Sequence, residues 1–135
     1  MVAKWKILII VILFGTFNPL NASHVRWYFD FEKAHQEALK QNKCLMVLLL
    51  QKDCPACKEV LATTFMNQPY INAINKKFIS VVIIKDQTSS YPIEMLYTVT
   101  YPTLFFLDNS ELFCCKTLEG NITPQRFKNH LKLCK

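Results

Sequence analysis

Six consecutive apolar residues, Leu45-Met46-Val47-Leu48-Leu49-Leu50, run into a short polar break and then Cys54-Pro55-Ala56-Cys57. An apolar run without alternation suits a strand buried on both faces, and therefore a sheet covered on both sides. Pro55 fits the first position of a helix, where its missing N–H would have been unpaired anyway. That puts Cys54 at the helix N-cap, with open backbone N–H groups facing its sulfur. Those donors and the positive end of the helix favour a thiolate, so the pKa of Cys54 is expected to fall. Cys57, one turn further on, is near enough to attack a mixed disulfide formed at Cys54. The spacing suits thiol–disulfide exchange.

The first 22 residues are set aside before fold reasoning. Lys4 and Lys6 precede an apolar stretch, Ile7–Phe14, and Pro19-Leu20-Asn21-Ala22 offers a cleavage point after Ala22. This is the layout of a secretory signal peptide, and the apolar stretch is short for a membrane span. An uncleaved N-terminal anchor is the competing reading. Either one puts residues 23–135 outside the cytoplasm, in the periplasm or beyond, where disulfides persist. The 135 residues hold two glycines, only Gly120 lying after the leader, so a Gly-rich phosphate loop is excluded. The formal charge of +6 falls by two with Lys4 and Lys6. The remaining basic residues are interspersed with acids, which gives no nucleic-acid surface.

In chain order, His24–Phe29 reads as a first strand. Asp30 caps a helix to about Gln41 that turns Phe31, Ala34, Ala38 and Leu39 inward, and His35 reads as a buried, satisfied histidine. The helix opened by Cys54 extends through Val60, Leu61 and Phe65. Asn67-Gln68-Pro69 breaks it before another helical segment over Tyr70–Lys77. Phe78–Ile84 is a β-branched strand, and Pro92–Thr98 a short helix. Pro102 stands at the mouth of the apolar strand Thr103–Leu107, where a residue that cannot donate to the ladder belongs. Asp108–Glu111 turns into a second hairpin strand, Leu112–Leu118. Thr123 caps a last helix with Pro124 at its first position and Phe127, Leu131 and Cys134 inward. The order β-α-β-α-β-α-β-β-α predicts an α/β domain, one mixed central sheet with helices on both faces.

Cys54-Pro55-Ala56-Cys57-Lys58 after a buried strand, with Tyr101-Pro102-Thr103 opening a later one, resembles the two signatures of the thioredoxin family over residues 23–135. Asn42-Lys43, Thr64-Phe65, Pro69 and Ile71 extend the likeness to the C-terminal thioredoxin-like domain of the bacterial periplasmic disulfide reductase and its small exported relatives. The resemblance implies a thioredoxin-like fold and a thiol–disulfide oxidoreductase with Cys54 and Cys57 as catalytic residues. It implies a cis Pro102, and a substrate-binding surface of Tyr101, Pro102 and Pro55. Protein thiol or disulfide substrates, a membrane redox partner, the reducing direction, a monomer and no cofactor follow as expectations. Two positions depart from the family. Leu48 stands where a buried acid is usual, and Asp53 replaces the tryptophan before the first cysteine. Asp53 opposes a thiolate at Cys54, whereas Lys52 and Lys58 favour it.

Cys44, Cys114, Cys115 and Cys134 allow three pairings and read as structural. A last helix antiparallel to the last strand brings Cys134 toward Cys114 or Cys115, leaving Cys44 buried or unpaired. A zinc site is disfavoured, because adjacent cysteines on a strand point to opposite faces. The alternative to catalysis is a binding module that keeps an inert Cys54–Cys57 disulfide.

Overall fold

The computed structural model describes residues 24–66, 69–88 and 90–134. The leader lies outside the described residues. Nine elements follow in order: β1 (Trp27–Tyr28), α1 (Phe31–Gln41), β2 (Cys44–Leu50), α2 (Pro55–Ala62), α3 (Ile71–Lys77), β3 (Phe78–Ile84), β4 (Thr103–Leu107), β5 (Leu118–Glu119) and α4 (Pro124–Leu133). They form one five-stranded sheet in the order β1-β3-β2-β4-β5. β3 runs parallel to both β1 and β2, while β4 is antiparallel to β2 and β5 to β4.

β2 is the central strand, and its residues alternate between two cores. Met46, Leu48 and Leu50 pack with Cys57, Val60, Ile71, Ile74 and Phe127, from α2, α3 and α4. Leu45, Val47 and Leu49 pack with Phe31, Ala34 and Ala38 of α1. All six are buried, which is why the run carries no polar position.

The helix starts follow their capping chemistry. Asp30 accepts the Lys33 N–H at 2.8 Å and Thr123 that of Arg126 at 3.2 Å, each satisfying a donor the helix leaves open. α1 closes at Asn42, whose φ of 52° suits an Asn cap. α2 stops at Ala62, short of Phe65. The Thr63 hydroxyl donates back to the Glu59 carbonyl at 2.7 Å, and that of Thr64 to Ile122 at 2.6 Å. These bonds compete with further helical turns. Phe65 is still buried, its ring edge-on to Trp27 and Phe127.

Other expectations need correction. The first strand is confined to Trp27–Tyr28, because the Arg26 N–H is taken by the Asn75 side chain at 2.9 Å. Tyr70 precedes α3 as its cap. Pro92–Thr98 makes a single turn in place of a helix, with Leu96 N–H on the Pro92 carbonyl at 3.0 Å. Thr98 turns its hydroxyl to the backbone of Thr100. Leu39 is 46% exposed on the outer side of α1. His35 Nε2 lies 3.6 Å from Glu111 Oε1 and makes no hydrogen bond, so the ring is packed against Phe31 but not satisfied.

The largest departure is Leu112–Leu118, where the expected strand shrinks to Leu118–Glu119 and one isolated bridge, Leu107–Phe113. Two disulfides explain it. Cys114 bonds to Cys44 at the start of β2, and Cys115 bonds to Cys134 at the end of α4. A regular strand beside β4 would stand two strands, roughly 9.6 Å, from β2, whereas the Cα atoms of Cys44 and Cys114 are 6.8 Å apart. Cys44 is therefore neither free nor unpaired.

Candidate functional site

The site is assembled where β2 ends. Its last residue runs into Gln51-Lys52-Asp53, all exposed. Asp53 adopts φ 55°, a left-handed conformation that a short polar side chain tolerates and a bulky ring does not. The replacement of the usual tryptophan thus has a conformational meaning in this turn. The chain re-enters extended geometry at Cys54 (φ −114°, ψ 101°) and begins α2 with Pro55.

Cys54 is the N-cap, and its Sγ accepts the Cys57 backbone N–H at 3.1 Å. Cys54 and Cys57 are joined as a disulfide with their Cα atoms 5.2 Å apart. The two sulfurs differ in access. Cys54 is half-exposed beside the exposed Pro55 and Ala56, whereas Cys57 is 3% exposed and packed into the α2 side of the core. An incoming group reaches Cys54 first. Leu48, fully buried in the same cluster as Cys57, occupies the position where the family's acid is usual.

β4 brings in the second part. Leu49 of β2 pairs with Thr103, so one register step further sets Pro102 beside Leu50, just before the turn to Cys54. The Tyr101–Pro102 peptide bond is cis, and Pro102 is buried. Tyr101 is half-buried, its hydroxyl donates to the Thr98 carbonyl at 3.3 Å, and Lys85 Nζ lies 5.8 Å from its ring centroid. Tyr91 belongs to the same surroundings: burial, then the neighbouring Tyr101 and Asp86, push its phenol above the ordinary range against the opposing pull of Lys85.

Sequence reasoning missed the group that holds this loop. Thr98 and Thr103 bring their hydroxyl oxygens within 3.2 Å, the Thr103 hydroxyl donates to the Thr100 carbonyl at 2.6 Å, and the Thr100 N–H donates to Thr98 Oγ1 at 3.0 Å. Across the loop the Gly120 N–H donates to the Pro102 carbonyl at 2.9 Å. Gly120 has φ 81°, so this approach suits glycine. The only signal in the sequence was three threonines bracketing Tyr101-Pro102.

The structure brings Cys54, Cys57, Pro55, Tyr101 and Pro102 to one end of the sheet. Cys114, Cys115 and Cys134 lie with Cys44 toward the other end, since β2 covers about 20 Å at ~3.3 Å per residue. Among the described residues no group of three or more His, Cys, Asp and Glu is placed to hold a metal. No helix among them is long and apolar enough to cross a membrane. Chemically, the Cys54 pair can exchange one disulfide for another. The arrangement leaves one sulfur open to attack and the other sheltered within reach of it, the geometry such an exchange needs.

A mixed sheet covered by helices on both faces, with a Cys-x-x-Cys opening a helix opposite a cis-proline, defines a thioredoxin-like protein. The chain belongs to the thioredoxin-like family, whose model matches residues 26–109. No curated protein matches it significantly. Solved structures share its fold at low identity. A DsbH oxidoreductase superposes with a TM-score of 0.62 at 18% identity, covering 85% of this chain and 90% of that one. A thioredoxin from Thermus thermophilus gives 0.63 at 17%, covering 81% and 85%. The C-terminal domain of Neisseria meningitidis DsbD, in its oxidised form, gives 0.59 at 20%, covering 82% of this chain and all of that domain.

Proposed function

We propose that this chain is an exported thiol–disulfide oxidoreductase that reduces disulfides in protein substrates. The observation that carries the reading is the unequal pair at the start of α2. Cys54 is reachable and accepts the Cys57 N–H at 3.1 Å, while Cys57 is buried directly behind it. An N–H bond to a charged acceptor is stronger than one to a neutral acceptor, so this cap favours Cys54 as a thiolate.

In the reduced protein, Cys54 Sγ attacks one sulfur of a substrate disulfide. A Cys54–substrate bond forms, and the other substrate sulfur leaves as a thiolate that takes up a proton. Cys57, losing its proton, attacks Cys54 Sγ and releases the second substrate thiol. The substrate has gained two electrons and the protein holds the Cys54–Cys57 disulfide seen here. A partner dithiol, on our reading a membrane redox protein, restores the pair. Tyr101 and Pro102 serve as the backbone rest for the substrate segment, alongside Pro55. The leader-like Met1–Ala22 supports export, and the resemblance of the Cys54-Pro55-Ala56-Cys57 region to the disulfide reductase domain motivates the reducing direction.

The test is insulin reduction by the protein and by Cys54→Ser. Turnover in the variant is expected to fall to the uncatalysed rate, while Cys57→Ser accumulates a mixed disulfide at Cys54. Equal turnover by Cys54→Ser would overturn the assignment. Leu48, apolar where the family carries an acid, favours a second reading in which the pair is inert and the fold holds a partner peptide. A reduction potential far below roughly −300 mV would select that reading.

A further inference from the structure

We propose that Cys115–Cys134 is a second thiol–disulfide exchange site, remote from Cys54, that accepts electrons from a protein dithiol. Cys115 is half-exposed, on an open cleft of about 540 Å³ lined by Phe113, Cys114, Cys115, Lys116, Thr117 and Leu133. Phe113 and Leu133 are 53% and 78% exposed, so the sulfur is flanked by apolar side chains on which a partner protein can rest. Cys134 is 8% exposed. The pair therefore repeats the asymmetry of the Cys54 site, with one reachable sulfur and one sheltered behind it.

Other bonds tie the same elements as this disulfide. His130 of α4 contacts the Lys116 carbonyl at 2.7 Å, joining the same two segments as Cys115–Cys134. Lys77 donates to the Cys134 carbonyl at 3.0 Å, anchoring the end of α4 from the other side. The segment before Cys115 has its own bonds, Cys114 N–H to the Phe106 carbonyl at 2.9 Å and Leu112 N–H to the Asp108 carboxylate at 3.0 Å. The disulfide closes only a 19-residue separation, against 70 for Cys44–Cys114, so opening it frees less chain entropy. These bonds are the ones that would hold both elements with the disulfide open.

The exchange runs as follows. A thiolate of the partner dithiol attacks Cys115 Sγ, forming a mixed disulfide, and Cys134 leaves as a thiolate that is then protonated. The partner's second thiolate attacks its own sulfur in that mixed bond and displaces Cys115. The partner is oxidised to a disulfide, and Cys115 and Cys134 become thiols.

The site is independent of the activity proposed for Cys54, and the test separates the two. The Cys54→Ser/Cys57→Ser double variant, oxidised at its other two bonds, is incubated natively with an equivalent of reduced thioredoxin, quenched with a thiol alkylator and mapped by mass spectrometry. Cys115 and Cys134 are expected to be alkylated together while Cys44 and Cys114 stay bonded and the circular dichroism is unchanged. A thioredoxin lacking its resolving cysteine is expected to be captured on Cys115. Reduction of Cys115–Cys134 only in denaturant, or only together with Cys44–Cys114 and loss of structure, would overturn the proposal. Insulin turnover by the Cys115→Ser/Cys134→Ser variant, which keeps Cys54 and Cys57, reads the first site alone.

Discussion

Tyr70 shows how a single side chain ties packing to pH. Its ring leans on Phe127 at 5.6 Å, and its hydroxyl donates to the Thr64 carbonyl at 3.0 Å just beyond α2. Burial pushes its phenol from 10.0 up to about 12. The folded state thus holds the proton more tightly than the unfolded chain does. Its contribution to stability is whole below pH 10 and is lost as pH rises through about 12. Urea titrations across that window should show a loss for the unmutated protein that Tyr70→Phe lacks, after both are normalised at pH 8. Nothing in the sequence around Tyr70 announces this, because the partner carbonyl depends on where α2 stops. The cap at Cys54 was legible, since a helix start is written in neighbouring residues. The threonine group around Pro102 was not, because hydroxyls at 98 and 103 meet only through the path of the loop between them.

The helices with a side-chain cap were readable to the residue at their starts, and the turns and strands after them less so. Asp30 before α1 and Thr123 before α4 are local chemistry, and the structure uses both. Asp30→Ala should cost about 1 kcal/mol in chemical denaturation and leave insulin turnover intact, since α1 packs on the face of the sheet away from α2. A matching loss of turnover would mean that α1 shapes the Cys54 end. Leu112–Leu118 misread as a strand for a reason no local pattern contains. Phe113 keeps one bridge to β4 and Leu118 rejoins it as β5, but the two cysteines between them are pulled to partners 70 and 19 residues away. Apolar character and β propensity were present, but long-range covalent bonds overrode them.

For the molecule as a whole, the two cores divided by β2 were legible, because the unbroken apolar run required cover on both faces. The pairing of Cys44 was not, since three pairings of four cysteines satisfy the same sequence. Its consequence is mechanical. Cys44 leads to Cys114, Cys114 is joined by a peptide bond to Cys115, and Cys115 leads to Cys134, so a covalent shortcut spans nearly the whole described chain. Tension applied between residues 24 and 134 can draw out only the stretch ahead of Cys44, stripping Phe31, Ala34 and Ala38 of α1 from their core, roughly 70 Å of contour at ~3.5 Å per residue. Optical-tweezer extension of the fully reduced chain should reach roughly 400 Å on the same measure, and a similar length from the oxidised chain would contradict this connectivity. Under load, β2 and the helix that follows it are spectators, carried by sulfur.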